Sequence, residues 1–231
     1  MNSPAKRLMA VQARIREAER LSGRPEGSVG LVAVSKTFSA DAIRALAESG
    51  QRRFGESYLG EALTKIEALR ELGLEWHFIG PIQSNKTRGI ATHFAWAHGI
   101  DRARIAARLS EQRPPDLPPL QVCIQVNISG EASKSGIRPE DALALVREII
   151  ELPRLRLRGL MAIPAPAADA QQSRSSFRRL HELLLALQER WPTLDTLSMG
   201  MSDDLEAAIA EGATLVRVGS ALFGARPPAQ P

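Results

Sequence analysis

The sequence predicts one α/β barrel of eight parallel strands, each followed by a helix, with an extra helix at the amino terminus. Short apolar segments alternate with amphipathic segments eight times along the 231 residues. The apolar segments are hydrophobic at successive positions, which is typical of parallel strands that helices cover. An open doubly wound sheet is the alternative, and it is disfavoured because no Gly-x-Gly-x-x-Gly motif follows the first strand. We therefore expect a single domain over residues 1–231.

The first 24 residues predict the extra helix. Ser3 followed by Pro4 is a typical N-cap and first-turn pair, and Gly23 is typical of a helix end. Apolar residues recur on one face of the segment 3–22, at Leu8, Val11, Ile15, Ala18 and Leu21. We expect the last residues, 226–231, to form a frayed tail because they are rich in proline and lie at the terminus.

Between these ends the chain divides into strand and helix pairs. The strands are predicted over 31–35, 53–55, 76–79, 93–97, 120–126, 155–161, 196–198 and 215–218. The helices that follow them are predicted over 40–49, 58–72, 85–91, 101–112, 139–152, 169–190, 203–211 and 220–223. Ser39 and Ser202 are predicted N-caps, and Gly50 and Gly73 are predicted to end helices.

Composition excludes several kinds of function. The net charge is +4, but the 25 arginines are scattered among acidic residues, so we expect no nucleic-acid partner. No apolar run is long enough to span a bilayer, and the amino terminus lacks a secretory signal. The only cysteine, Cys123, rules out an internal disulfide, and the four histidines show no ligand spacing, so we expect no metal. A reducing cytoplasm is the expected location.

In such a barrel the reacting groups lie where the strands end, and the loops after strands 7 and 8 commonly bind phosphate. Here these loops carry backbone N–H groups and hydroxyls on small residues, namely Ser198, Gly200, Gly219 and Ser220. The alternative is that these are ordinary turn residues between a strand and a helix.

Lys36 directly follows the first strand, in a chain with 25 arginines and only 5 lysines. A lysine can form an imine and an arginine cannot, although a solvated lysine at a strand end is the alternative. A phosphate site together with this lysine suggests pyridoxal 5′-phosphate (PLP). Arg217 lies within strand 8 and is a candidate partner for the pyridine nitrogen; an ion pair with Glu56 or another buried acid is the alternative.

At these residues the sequence resembles the YggS/PROSC family of pyridoxal phosphate homeostasis proteins. The matching segments are VAVSKT at 32–37, FGESY at 54–58, WHFIGPIQSNK at 76–86, VNIS at 126–129, KSG at 134–136, GLMAI at 159–163, SMGMSDD at 198–204 and RVGS at 217–220. The resemblance implies a single barrel like the N-terminal domain of alanine racemase. It implies that Lys36 holds PLP as a Schiff base and that Arg217 faces the pyridine nitrogen.

The resemblance also implies that Ser198, Gly219 and Ser220 hold the phosphate, with Met199 and Gly200 close by. One position departs from the family, because Ser57 stands where relatives carry an asparagine beside the cofactor. Ser57 is shorter, so its contact with the cofactor is expected to pass through water. The resemblance implies a protein that binds, stores or delivers PLP, and it implies no catalytic activity.

We therefore expect a PLP-binding protein that stores PLP and delivers it to PLP-dependent apo-enzymes, acts as a monomer and has no catalytic residue. An amino-acid racemase is the alternative, and a sugar-phosphate enzyme with Lys36 as its Schiff-base lysine is a weaker one. The arginine expected at the ring nitrogen disfavours ring protonation and so weakens the electron sink. A racemase also needs an acid on the opposite face, a tyrosine supplied across a dimer in the related alanine racemases, and Tyr58 is the only tyrosine in this chain.

Overall fold

The computed structural model describes residues 3–131, 134–164 and 170–224, and within this part of the chain it is a closed barrel of eight parallel strands in sequence order. The strands are β1 (Gly30–Val34), β2 (Arg53–Glu56), β3 (Glu75–Phe78), β4 (Trp96–Ile100), β5 (Leu120–Gln125), β6 (Leu155–Met161), β7 (Thr196–Ser198) and β8 (Leu215–Val218). The barrel closes between β1 and β8, where Val32 pairs with Arg217. The predicted fold class is therefore confirmed.

Helices surround this barrel and connect each strand to the next. They are α1 (Pro4–Leu21), α2 (Ala40–Glu48), α3 (Leu59–Ala68), α4 (Thr87–His93), α5 (Ala103–Gln112), α6 (Ala142–Ile150), α7 (Ala170–Gln188), α8 (Leu205–Ala210) and α9 (Ser220–Phe223). Among the residues the structure covers, no helix has both the length and the apolar character that a bilayer span requires. The predicted tail, 226–231, lies outside the described residues.

Two apolar regions hold the layers together. The larger one lies between the strands and the helices, and residues such as Phe54, Ile43 and Leu46 are buried in it. A smaller cluster combines residues from five strands, at Val32, Trp96, Cys123, Met161 and Leu215. Both faces of the strands are thus buried, which explains why the strand segments are apolar at successive positions.

The fourth strand differs from its prediction over 93–97, because β4 begins three residues later. α4 continues to His93, and Phe94 caps it by donating its N–H to the carbonyl of Ile90 at 3.1 Å. The Phe94 ring packs edge-on against Phe78 with the ring centroids 5.3 Å apart. Phe94 therefore belongs to the helix-facing core, and its apolar side chain packs around the helix end rather than within a strand.

Two helix boundaries also differ from their predictions. The helix predicted over 58–72 breaks at Leu69, and a separate 3₁₀ turn covers Arg70–Leu72. Ser202 does not cap α8, since Asp204 is the residue at the N-cap and its Oδ1 accepts the N–H of Met201 at 2.6 Å. The Asp204 carboxylate reaches back and accepts a hydrogen bond from the loop before α8. It therefore stabilises this loop and does not cap the helix itself.

The extra helix α1 packs against α8 and α9, next to the loops after β7 and β8. Its buried face includes Leu8, Val11, Ile15 and Ala18, as predicted, but Leu21 at the helix end is 71% exposed and does not belong to it. Arg14 makes a bidentate pair with Glu206 of α8, at 2.7 and 2.9 Å, and donates to the carbonyl oxygen of Ser202 at 2.9 Å. The helix therefore supports the β7 loop from outside the barrel.

Candidate functional site

Lys36 lies at the mouth of the barrel, in a short segment held on both of its sides. On one side, the Ser35 hydroxyl donates to Glu56 Oε1 at 2.6 Å, and the Ser35 carbonyl accepts from Lys65 Nζ at 2.8 Å. On the other side, the Thr37 N–H donates to Glu61 Oε1 at 2.6 Å. The backbone around the candidate lysine is thus fixed by side chains from β2 and α3.

The conformation of this segment is unusual. Thr37 has φ of 71°, and it is the only residue other than glycine with positive φ in the described part of the chain. A β-branched residue in this region costs about 1 to 3 kcal/mol, and it persists only where the surroundings enforce it. The hydrogen bond from the Thr37 N–H to Glu61 is one contact that enforces it.

Three charged side chains, Glu56, Glu61 and Lys65, form a group that we call the Lys65 cluster. The Lys65 ammonium donates to the Ser35 carbonyl, to Glu56 Oε1 at 2.8 Å and to Glu61 Oε1, so its three protons all have acceptors. Glu56 is fully buried, and its second oxygen accepts no hydrogen bond within the described structure. Burial raises the pKa of Glu56, against the opposing effect of the bond from Lys65.

Sequence reasoning overlooked Lys65. The available signal was local, because Glu61 and Lys65 are spaced i, i+4 on the helix that follows β2, and such pairs meet on one helix face. The alternative in which Glu56 pairs with Arg217 is wrong, since Glu56 pairs with Lys65 instead.

Arg217 is buried inside the barrel, and 3% of its surface is exposed. Its Nη1 donates to the Ser198 hydroxyl at 2.7 Å, and its Nη2 donates to the Ala162 carbonyl at 2.9 Å. Burial lowers the pKa of Arg217 to about 10, so the guanidinium stays charged at neutral pH. Of its five N–H groups, three have no acceptor among the described residues.

The contact between Ser198 and Arg217 continues into a row of polar groups. His98 Nδ1 lies 2.8 Å from the Ser198 hydroxyl, and His98 Nε2 lies 2.9 Å from His77 Nδ1. His77 Nε2 lies 2.9 Å from Glu75 Oε1, at the start of β3. We call these five residues, Glu75, His77, His98, Ser198 and Arg217, the interior chain. It crosses the barrel, because β4, which carries His98, and β7, which carries Ser198, lie three strands apart.

Burial lowers the pKa values of both histidines in this row. It lowers the pKa of His77, and it lowers that of His98 further with the help of nearby His77 and Arg217. The hydrogen bond from His77 lowers the pKa of Glu75. Both histidines are therefore neutral at neutral pH. Sequence reasoning gave them no role, since members of four different strands have no fixed spacing in sequence.

The predicted phosphate loops lie next to each other. Gly219 is the N-cap of α9 and makes no side-chain capping bond, and the hydroxyls of Ser220 and Ser202 are 3.2 Å apart. Gly200 has φ of 89°, and a Cβ there would lie 2.5 Å from Ala208, so glycine is required. Met199 is fully buried, and Ser198 points into the barrel with its hydroxyl against His98 and Arg217.

Register brings the two halves of the candidate site together. β1 and β8 are neighbours, and an added Cβ at Gly219 would lie 3.4 Å from the Val34 carbonyl. The segment with Lys36 and the loop with Gly219 and Ser220 therefore adjoin at one edge of the mouth. Ser57 follows β2, and its carbonyl approaches Gly80 so closely that a Cβ on Gly80 would lie 2.6 Å from it.

These groups fit the chemical needs of PLP. Lys36 supplies an amine, the buried guanidinium of Arg217 has N–H groups left to donate, and the loop at Gly219 and Ser220 supplies backbone and hydroxyl donors. Tyr58 is 58% exposed, beside the mouth. Within the described residues, no group of three or more metal-ligating side chains occurs.

Known proteins resemble this chain over nearly its whole length. The family model described as the alanine racemase N-terminal domain matches residues 7–227. A pyridoxal phosphate homeostasis protein of Pseudomonas aeruginosa is 62% identical over 226 residues, covering 98% of this chain and 97% of its own. A protein of the same name from Escherichia coli is 53% identical over 229 residues, covering 98% of both.

A solved structure agrees with this assignment. PipY of Synechococcus elongatus, solved with PLP bound, matches with a TM-score of 0.80 and 37% identity, covering 91% of this chain and all of its own. Fold and sequence point to the same relatives. The chain belongs to the family of pyridoxal phosphate homeostasis proteins, which is built on the barrel of the alanine racemase N-terminal domain.

Proposed function

We propose that this chain binds PLP at the mouth of its barrel, holds it covalently through Lys36 and serves PLP homeostasis by storing and delivering it, without turnover of its own. The observation that carries the proposal is the pairing of β1 with β8. It brings Lys36, Arg217 and the loop at Gly219 and Ser220 to one edge of the mouth. The names of the relatives and the PLP-bound PipY structure support the same ligand.

Each end of the ligand has a proposed partner. PLP supplies an aldehyde that condenses with an amine, and that amine is Lys36. Arg217 donates to the ring nitrogen, and the backbone and hydroxyl of Gly219 and Ser220 bind the phosphate. Ser57 lies beside the ligand and contacts it through water.

The residues of the β7 loop support this arrangement. We propose that the Ser198 backbone, Met199 and Gly200 shape the phosphate-binding loop. The carbonyl oxygen of Gly200 accepts a hydrogen bond from the backbone N–H of Arg217 at 3.0 Å. This bond fixes the loop and the strand that carries the arginine to each other. The Ser198 side chain contacts Arg217, because its hydroxyl accepts a hydrogen bond from Nη1 of the guanidinium.

The protonation state of Arg217 supports the proposal of a carrier without turnover. Because burial lowers the pKa of Arg217 only to about 10, the guanidinium stays protonated at neutral pH. It therefore donates a hydrogen bond to the ring nitrogen and does not transfer its proton to it. An unprotonated ring stabilises a carbanion poorly, so racemisation is disfavoured. We further propose that PLP-dependent apo-enzymes receive the cofactor, that the chain acts as a monomer and that it works in the cytoplasm.

The decisive experiment combines labelling with a turnover assay. Purified protein incubated with PLP is reduced with borohydride and mapped by peptide mass spectrometry. We expect the pyridoxyl label on Lys36 and its loss in Lys36→Ala, while Lys86→Ala, which alters an exposed loop lysine, keeps it. Label on Lys86 with Lys36 unmodified would overturn the assignment.

The same protein is then incubated with L-alanine in deuterated water. We expect no racemisation and no Cα exchange beyond the rate of free PLP, because the ring nitrogen stays unprotonated. Sustained multiple turnover that Lys36→Ala abolishes would make the protein an enzyme.

A second variant tests the phosphate contact. Ser220→Asp places a carboxylate at the start of α9, where like charges repel strongly if water is partly excluded. We expect the affinity for PLP to fall by at least tenfold and the affinity for phosphate-free pyridoxal to change little. An equal loss for both ligands would contradict phosphate binding at this position.

A further inference from the structure

The interior chain joins the two ends of the barrel through hydrogen bonds. It starts at Glu75, the first residue of β3, whose side chain is 40% exposed at the amino-terminal end of the barrel. It ends at Arg217, near the carboxyl end of β8. The three groups between them, His77, His98 and Ser198, are each at most 1% exposed, so their only partners lie within the protein.

The direction of every hydrogen bond in this row follows from its two ends. Arg217 can only donate, so the Ser198 oxygen accepts from it and has one proton left to donate. The Glu75 carboxylate can only accept, so His77 carries its proton on Nε2. A neutral His77 then accepts at Nδ1 from His98 Nε2, and His98 accepts at Nδ1 from the serine hydroxyl.

If every bond in the row ran in the opposite direction, the contact between His77 and Glu75 would be lost. If His98 donated from Nδ1 to Ser198, its Nε2 would need a proton from His77 Nδ1. His77 Nε2 would then face the Glu75 carboxylate without a proton, and two acceptors would lie 2.9 Å apart. One set of tautomers is therefore consistent with two neutral histidines.

We propose that His98 and His77 are positioning residues for Arg217, which hold its guanidinium in one orientation through Ser198. The inference rests on the proposed function, since it assigns the N–H groups left on Arg217 to the ring nitrogen of PLP. A flexible arginine has many rotamers, and the row of bonds fixes one of them from inside the barrel. In the described structure no carboxylate contacts the guanidinium of Arg217. Its positive charge is therefore not paired with an acid and can interact with the ligand.

The first experiment compares PLP with 1-deaza-pyridoxal phosphate, in which a C–H group replaces the ring nitrogen. We expect wild-type protein to bind PLP about tenfold more tightly than this probe, because the hydrogen bond to Arg217 is missing from the latter. His98→Leu cannot accept from Ser198, so we expect it to lose this preference while its affinity for the probe stays the same.

Two matched variants accompany it. His98→Gln retains an acceptor and a donor in one side chain, so we expect it to restore part of the preference. His93→Gln alters an exposed histidine at the end of α4, whose Nδ1 lies 3.0 Å from the carbonyl oxygen of Gly89, and we expect it to behave as wild type.

The outcomes separate the inference from the proposed function. If wild-type protein does not distinguish the two ligands, the contact between Arg217 and the ring nitrogen is wrong, and the inference falls with it. If wild-type protein distinguishes them and His98→Leu does so equally, PLP binding stands and the positioning role is overturned.

A second measurement needs neither ligand nor a stable leucine variant. Long-range ¹H–¹⁵N spectra of cofactor-free wild-type protein report which ring nitrogen of each histidine is protonated. We expect both His77 and His98 to be neutral with the proton on Nε2. A proton on Nδ1 of His98 would reverse the row of bonds and refute the proposal.

Discussion

The Lys65 cluster and the interior chain support two neighbouring parts of the candidate site by different means. The Lys65 cluster lies between β2 and α3, and it holds the segment around Lys36 with a buried ammonium between two carboxylates. The interior chain lies inside the barrel and holds Arg217 with a hydroxyl and two neutral imidazoles. The Lys65 cluster uses ion pairs. The interior chain uses polar groups that are uncharged between Glu75 and Arg217.

Under the proposed function, the difference is explained by what each region presents to the ligand. A lysine that reacts with an aldehyde needs a fixed backbone, and charges located behind that backbone do not touch the ligand. An arginine that donates to a neutral ring nitrogen must keep its own charge, and a buried carboxylate beside it would compete for its protons. The two regions therefore differ in how they should respond to the loss of a charge and to pH.

The largest effect is expected from Lys65→Met. Removing the ammonium leaves Glu56 buried without a counterion, and breaking a buried pair in this way costs about 3 to 5 kcal/mol. We expect urea unfolding at pH 7 to show a loss of this size, whereas Lys86→Met, which alters an exposed loop lysine, stays within about 0.5 kcal/mol.

The pH dependence of this variant provides a signature. Burial already raises the pKa of Glu56, and the loss of Lys65 raises it further. A carboxyl group with a raised pKa in the folded state stabilises the fold at low pH and loses that contribution as pH rises. Lys65→Met should therefore recover stability, relative to wild type, between pH 7 and pH 5. A pH-independent loss would show that packing, and not charge, dominates.

A smaller effect is expected from acidification of wild-type protein. Burial lowers the pKa of both His77 and His98 below the value of about 6.5 found in unfolded chains. Below pH 6.5 the unfolded chain takes up protons that the folded chain does not, so stability falls as pH falls. From pH 6.5 to 5.5 each of the two histidines contributes a loss of at most about 1 kcal/mol, which is reached if it stays uncharged in the folded state.

The measurement is urea unfolding at both pH values, in wild-type protein and in the double variant with His77→Gln and His98→Gln. The difference between the two proteins isolates the histidines from the carboxylates that also titrate. An identical pH slope in both proteins would mean that the histidines titrate alike in the folded and unfolded states, and that burial does not lower their pKa.

The smallest effect is expected at Thr37. Asparagine adopts positive φ more readily than a β-branched residue, so Thr37→Asn should raise the free energy of unfolding by up to about 1 kcal/mol. Thr64→Asn is a suitable control, because Thr64 is an exposed residue of α3 and the two residues have similar helix propensities. A loss of stability at Thr37 would indicate that its side chain matters more than its backbone conformation.

Local patterns predicted most of the fold. Apolar segments and helix boundaries indicated eight strand and helix pairs. The predicted position of β4 was wrong, because Phe94 belongs to the core around a helix end. The position of Lys36 after β1 was also predictable, since it depends on one strand end alone.

The supporting residues were harder to predict. Lys65 had a local signal in its spacing from Glu61, but its contact with Ser35 joins positions 30 residues apart. His98 and Ser198 are separated by 100 residues and meet only because the barrel closes. A pattern along the sequence contains no information on such contacts, whereas the strand order and register determine them.

The closure between β1 and β8 also determines when the protein can take up its ligand. The ribosome makes Lys36 roughly 180 residues before Arg217 and Ser220. Contacts between such distant parts of a chain form slowly, because the intervening loop must close first. A nascent chain that still lacks β8 has the lysine without the arginine or the loop at Gly219 and Ser220. Stable uptake of PLP at the proposed site therefore begins only after β8 has been synthesised, and it reports that the barrel has closed.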